Sequence, residues 1–96
     1  MFDAKPYEEQ RLLSGFKGIR IYLDYVADKP PFITAVYNEE EAEFLIEDGI
    51  QYLGEMYSGH QLKLVLAWLV IHEAELMENW ELAKANKPLK EIPPLS

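Results

Sequence analysis

The residues that could do chemistry in this 96-residue chain are few and widely spaced. There is no cysteine, which excludes thiolate nucleophiles, disulfides and cysteine-ligated zinc. The two histidines, His60 and His72, lie in one predicted helix and point about 120° away from each other, too divergent to share a metal ion. His72 borders the predicted core face of that helix, which favours a structural, hydrogen-bonded imidazole.

Carboxylates, hydroxyls and glycines also form no recognisable catalytic set. Glu75, Glu78 and Glu81 follow a three-residue spacing that could pair carboxylates for acid–base catalysis or bind a divalent cation. The same spacing is typical of a hydrated helix surface, which we favour. The serines lack a histidine relay, and the glycines form no phosphate-binding loop. We therefore predict no catalytic residue, no metal ligand and no cofactor, and favour a protein that is not an enzyme.

The charge and apolar content indicate which partners the chain can have. Its net charge is −8, from 17 acidic and 9 basic residues, which disfavours nucleic acid and favours basic protein partners. The alternative is that this charge only maintains solubility. The longest apolar run, residues 64–71, is far shorter than the roughly 20 residues of a membrane span. We expect a cytoplasmic protein without a membrane segment.

Residue periodicity predicts a single α+β domain over residues 1–96. Apolar alternation indicates an antiparallel meander of four strands, with Asn38-Glu39 and Asp48-Gly49 as turns. One long helix then covers the sheet, followed by an extended, proline-containing tail over residues 87–96. Residues 1–12 are expected to be flexible or to form a short helix. The predicted elements are strands at 18–25, 32–37, 41–47 and 50–55, and a helix at about 59–85.

The predicted helix carries two apolar stripes on different sides. The wider stripe suits the sheet, and it comprises Leu62, Val65, Leu66, Leu69, Leu76, Trp80 and Ala83. One sheet cannot also cover the second stripe, which comprises Leu64, Trp68, Ile71 and Leu82. Either the tail folds back over it with Leu89, Ile92 and Leu95, or the stripe binds another protein or a second copy of the chain.

Several short motifs resemble a known family. The helix contains residues 64–68 with the sequence LVLAW and residues 76–83 with LMENWELA, and the tail contains IPPL at residues 92–95. Near the start, residues 14–19 read SGFKGI, followed later by the double proline Pro30-Pro31. Over residues 13–95 the chain resembles the bacterial family known as domain of unknown function 4160. The resemblance implies small genes often found beside another short gene, in arrangements suggestive of toxin–antitoxin pairs.

The resemblance breaks at a histidine-rich motif. Members of this family typically carry His-x-Pro-Pro-His-Phe-His-Ala, whose imidazoles would be the natural metal or acid–base site. Here the three histidine positions hold Asp28, Phe32 and Thr34, with Lys29 between the first of them and the prolines. We treat this segment as a candidate site from which any chemistry that needs the histidines is absent.

Three functions remain open on the sequence. We favour a non-catalytic protein–protein interaction module that uses Leu64, Trp68, Ile71 and Leu82, as one component of a toxin–antitoxin-like pair. One alternative is a small toxin-type hydrolase or nuclease, or a degenerate relative of one, although the chain offers few cations to hold RNA. A second alternative is an acidic inhibitor or nucleic-acid mimic, based on the glutamate run at residues 39–41.

Overall fold

A five-stranded antiparallel sheet and two helices form the computed structural model, which describes residues 11–56 and 59–95. The strands lie in chain order across the sheet, each hydrogen-bonded to the next, so the predicted meander is confirmed. Five strands replace the predicted four, and two helices replace the predicted single one. The elements are β1 (Arg11–Phe16), β2 (Ile19–Leu23), β3 (Phe32–Tyr37), β4 (Glu40–Leu45), β5 (Gln51–Glu55), α1 (Gly59–Ile71) and α2 (Glu73–Lys84).

The first strand was not predicted because a bulge interrupts its alternation. The pairing of β1 with β2 shifts register between Leu12 and Ser14, and Leu13 and Ser14 are buried in succession. A strand with two consecutive buried residues lacks the period of two that identifies a half-buried strand. The assignment of residues 1–12 to a flexible or short helical segment is therefore wrong at residues 11 and 12, and residues 1–10 lie outside the described range.

The hairpin turns differ in how well the sequence identified them. Lys17 and Gly18, which join β1 to β2, both have positive φ, at 53° and 80°, as a type I′ turn requires. Gly49 also has a positive φ, at 66°, but the predicted two-residue turn at residues 48–49 is wrong. The Gly49 amide donates to the Leu45 carbonyl at 2.8 Å, and the Leu45 amide donates to the Ile50 carbonyl at 2.9 Å. Four residues, 46–49, therefore form this loop.

The helix breaks at His72, which has φ −112° and ψ 21°. The His72 amide donates to the Trp68 carbonyl at 3.0 Å, at the end of α1, and the His72 carbonyl accepts from the Leu76 amide at 2.9 Å, at the start of α2. No glycine or proline stands there, so the sequence contains no breaking signal. The two helices are thus joined through a single turn residue, His72.

The core lies between the helices and one face of the sheet. The wider predicted stripe faces it, since its central members are buried and Leu62 and Leu66 pack at its margin, so this prediction is confirmed. Aromatic contacts join the layers: Trp68 lies 5.9 Å from Phe16 on β1 between ring centroids, and Trp80 lies 5.5 Å from Phe32 on β3. Within the described ranges, no helix is both long enough and apolar enough to cross a bilayer.

The tail after α2 folds back onto the helices. The indole nitrogen of Trp68 donates to the Pro93 carbonyl at 2.9 Å, and Ile92 is buried in the core. Asn79, which is fully buried, donates to the Lys90 carbonyl and accepts from the Lys90 amide, each at 2.9 Å. Of the two predicted fates of the second stripe, coverage by the tail is therefore the one observed at Trp68.

Gly54 is required by its backbone conformation and its neighbours. Its φ is +81°, and an added Cβ would collide with the Glu41 carbonyl oxygen and lie 3.0 Å from the Ala42 Cα. We expect Gly54→Ala to lower the free energy of unfolding by about 2 kcal/mol or more. Gly59→Ala is the matched control, because nothing lies within 4 Å of its added Cβ. Urea denaturation of both variants tests this, and equal stabilities would contradict it.

Asn79 anchors the tail more strongly than the ion pair beside it does. Asn79→Ala should lower the free energy of unfolding by about 1–3 kcal/mol, because it removes two hydrogen bonds from a buried site. Lys90 also pairs with Glu78, but both side chains are more than half exposed. Lys90→Ala keeps the backbone bonds and should change stability by less than about 0.5 kcal/mol. A larger loss for Lys90→Ala than for Asn79→Ala in chemical denaturation would overturn this order.

Candidate functional site

The positions of the missing histidines lie at the start of β3 and in the loop before it. Asp28 is exposed in a turn with φ 71°, a conformation that aspartate tolerates better than most residues. Phe32 is the first residue of β3, where its ring packs edge-on against Trp80 at 5.5 Å. Phe32 is only 2% exposed, so it belongs to the core rather than to an open site.

Lys29 closes over this segment instead of leaving it open. Its ammonium nitrogen lies 3.2 Å from a carboxylate oxygen of Glu43 on β4 and 5.0 Å from the centroid of the Phe32 ring. Both side chains of the ion pair are partly buried, with 32% of the Lys29 side chain and 18% of the Glu43 side chain exposed. The cation and the carboxylate therefore neutralise each other at the place where the family motif has imidazoles.

Thr34 lies between Tyr22 and Glu43 across three neighbouring strands. It pairs with Tyr22 of β2 on one side and with Glu43 of β4 on the other. Thr34 is 1% exposed, and its hydroxyl oxygen has no hydrogen-bond partner among the described residues. A buried hydroxyl without a hydrogen-bond partner is destabilising, so no structural hydrogen bond within the described ranges accounts for the Thr34 hydroxyl.

Three of the four residues of this candidate loop come together, but without the chemistry of a reactive site. Lys29 contacts Glu43 and the Phe32 ring, and Thr34 pairs with Glu43 across the strands, whereas Asp28 is exposed in the turn. In the ranges 11–56 and 59–95, no group of three or more histidines, aspartates or glutamates is arranged to hold a metal ion. The arrangement is an ion pair above an aromatic ring, which binds the loop to the sheet.

His72 lies at the helix junction, away from the loop. Its Nδ1 contacts a carboxylate oxygen of Glu75, and its ring packs 5.4 Å from the Trp68 ring between centroids. The other histidine, His60, is exposed in the first turn of α1. His72 thus has the hydrogen-bonded structural position that its place beside the core face predicts.

The predicted interaction stripe is divided by the fold. Trp68 is fully buried beneath the tail, and Leu64 and Leu82 are partly buried. Ile71 is the exposed member, at 62%. Three of the four predicted residues therefore belong to the core or its margin, and Ile71 remains available on the surface.

A different apolar surface surrounds Ile71, and it was not recognised from the sequence. Ala67, Val70, Ile71 and Ala74 are all exposed, with Val70 at 77%, and they follow the spacing i, i+3, i+4, i+7 of one helix face. We name these four residues the outer stripe. Its helical spacing is present in the sequence, but two other apolar stripes on the same helices were identified instead.

An acidic groove lies beside the outer stripe. The loop at residues 46–49 and the adjoining surface of α1 enclose a cavity of ≈ 200 Å³, lined on the helix side by Leu66, Leu69 and Val70. Glu47, Asp48 and Glu73 are exposed around it. The outer stripe is thus an apolar surface with carboxylates along one side.

Thr34→Val should stabilise the protein. The substitution keeps the branched shape and removes the unpartnered hydroxyl, so we expect the free energy of unfolding to rise by about 1 kcal/mol. Thr34→Ser is the matched control, because it keeps the hydroxyl, removes the methyl group and should destabilise. Thermal and urea unfolding measure both, and a loss of stability in Thr34→Val would show that the hydroxyl has a partner.

Comparison with known proteins gives a family and no further relatives. The family described as Domain of unknown function (DUF4160) matches residues 18–81, which are 64 of the 96 residues. The matched range extends from the turn before β2 to near the end of α2, and it contains the candidate loop and the outer stripe. Searches of curated proteins and of solved structures found no match. The chain belongs to the DUF4160 family.

Proposed function

We propose that this protein is a non-catalytic interaction module that binds a protein partner through the outer stripe. The exposure of Val70 and Ile71, at 77% and 62%, is the observation that carries the proposal. Adjacent aliphatic side chains in a helical stripe form the kind of contiguous apolar patch that marks interaction sites. Burial of two such side chains contributes about 3–6 kcal/mol to association before its costs.

The surroundings of the stripe support this proposal. Ala67 and Ala74 flank the two large residues, so a partner helix can approach closely at both ends. The sheet packs on the opposite side of α1, where Val65 and Leu69 are buried. The stripe therefore lies on the side of the helices that faces away from the sheet.

The enzyme and mimic alternatives have less support. Among residues 11–56 and 59–95, Lys29 pairs with Glu43 and Arg11 pairs with Asp24 at 3.6 Å, so these cations are engaged within the chain. Glu78 pairs with Lys90 in the same way. We therefore base the proposed function neither on cations that could hold RNA nor on a row of carboxylates.

Replacement of the two large residues of the stripe tests the proposal. Val70→Ser with Ile71→Ser should leave the fold intact, because both side chains are exposed, and should weaken partner binding by about 10- to 100-fold. The matched control is Leu12→Ser with Leu53→Ser, two apolar residues that are 60% and 56% exposed on the strands.

Light scattering after size-exclusion chromatography measures the complexes. It is applied to the purified chain alone and to the chain co-expressed with the product of the adjacent gene, the first candidate that the family's gene arrangement suggests. A complex that the stripe variant loses and the strand variant keeps would support the proposal. A chain that forms no complex, or one that the stripe variant leaves unchanged, would contradict it.

A further inference from the structure

Eight exposed residues on one face of the two helices are arranged symmetrically about the point between Val70 and Ile71. Outside the outer stripe, the same helical face continues with His60 and Lys63 on one side and with Glu78 and Glu81 on the other, all exposed. At about 100° per residue these positions fall within one arc of about 100°. The eight positions are 60, 63, 67, 70, 71, 74, 78 and 81, with intervals of 3, 4, 3, 1, 3, 4 and 3.

The chemistry of these positions is complementary about the midpoint between Val70 and Ile71. Moving outward from that midpoint, each side has a large aliphatic residue, then an alanine, then two polar positions. The polar positions are His60 and Lys63 towards the N-terminus, and Glu78 and Glu81 towards the C-terminus. A pattern of this kind matches itself when a second copy is turned by a two-fold rotation, as isologous interfaces require.

We infer that the outer stripe binds a second copy of this chain, forming an antiparallel helix pair around a two-fold axis between Val70 and Ile71. This inference rests on the proposed function, because it names the partner of the same surface. In the pair, Val70 packs against Ile71 of the partner subunit, and Ala67 packs against Ala74 of the partner subunit. Lys63 then faces Glu78 of the partner subunit, and His60 faces Glu81 of the partner subunit.

The burial pattern makes this register feasible across both helices. Val65 and Leu69 of α1 and Leu76, Trp80 and Ala83 of α2 are all buried and share one arc at about 100° per residue, so α2 keeps the rotational phase of α1 across His72. The small side chains of Ala67 and Ala74 lie opposite each other, so the helix axes can come close. The tail packs over Trp68, on a different side of the helix from the outer stripe.

Electrostatics both opposes and specifies the pair. Each chain has a net charge of −8, and Glu47, Asp48 and Glu73 beside the outer stripe repel the same residues of a second copy. Charges farther apart than the Debye length of about 8 Å are largely screened at physiological salt, so the repulsion that remains comes from these close carboxylates. The contact between Lys63 of one copy and Glu78 of the other lies within that distance, and the two-fold symmetry forms it twice. Glu78 already accepts from Lys90 through one carboxylate oxygen, and its second oxygen remains able to accept from Lys63.

Charge reversal tests the pairing of Lys63 with Glu78. Lys63→Glu and Glu78→Lys each turn two attractive contacts into two repulsive ones, so each should raise the dimer dissociation constant about tenfold or more. The double variant exchanges the two charges and should return the constant to within about threefold of the original. Sedimentation equilibrium across a range of concentrations measures all four proteins, and a double variant no tighter than the single ones would overturn the register.

Cysteine cross-linking tests the antiparallel orientation directly, because the chain has no cysteine of its own. Ala67→Cys with Ala74→Cys in one chain should give a covalent dimer on mild oxidation. The two positions are about 10 Å apart along one helix, too far for a bond within the chain. Ala67→Cys alone is the matched control and should form no covalent dimer, whereas a parallel pair would cross-link it.

The outcome also separates this inference from the proposed function. If the chain remains monomeric at every concentration, while Val70→Ser with Ile71→Ser still abolishes a complex with the product of the adjacent gene, the second copy is wrong and the interaction module stands. If no complex of either kind forms, both fail. A concentration-dependent dimer with the predicted charge and cross-linking behaviour supports both.

Discussion

The burial of one indole determines how the rest of the chain is arranged. Trp68 has no exposed surface, and it contacts Phe16 of the first strand and His72 of the helix junction. A buried indole needs an acceptor for its N–H, because an unpaired donor in the core costs free energy. The Pro93 carbonyl provides that acceptor, so sheet, helices and tail all meet at one side chain.

This constraint explains why the surface of the helices differs from the simplest interpretation of their sequence. Trp68 is hydrogen-bonded to the tail, Leu64 packs against the core, and Leu82 is partly buried. Apolar residues on the remaining side have no such cover among the described residues. One apolar face is therefore buried within the chain and another is exposed, although both have similar composition.

Much of the fold could be predicted from the sequence because its physical signals are local. Alternation, β-branched and aromatic residues and a turn signal together identified β2 to β5 to within two residues at each end, and helical periodicity identified the core stripe. The missing parts depend on non-local geometry. The bulge at Leu13 and Ser14 hides β1, and the helix irregularity at His72 occurs without glycine or proline.

The same contrast holds at the candidate site. The sequence alone reveals that Asp28, Phe32 and Thr34 replace the histidines of the family motif. It does not reveal that Lys29 reaches Glu43, since this contact depends on the register between β3 and β4 and spans fourteen positions. Ile71 belonged to the predicted interaction surface, but the exposure of Val70 was unpredictable, because the choice among three apolar stripes depends on where the tail lies.

The irregular strand pairings at both margins of the sheet have a consequence for aggregation. Register shifts occur in the pairing of β1 with β2 and of β4 with β5, and Gly54 adds a positive φ within β5. A flat, regular edge strand is a template for adding strands from other molecules, and bulges bend it out of register. A chain with exposed aliphatic residues can therefore associate through helices while its sheet edges resist fibril growth.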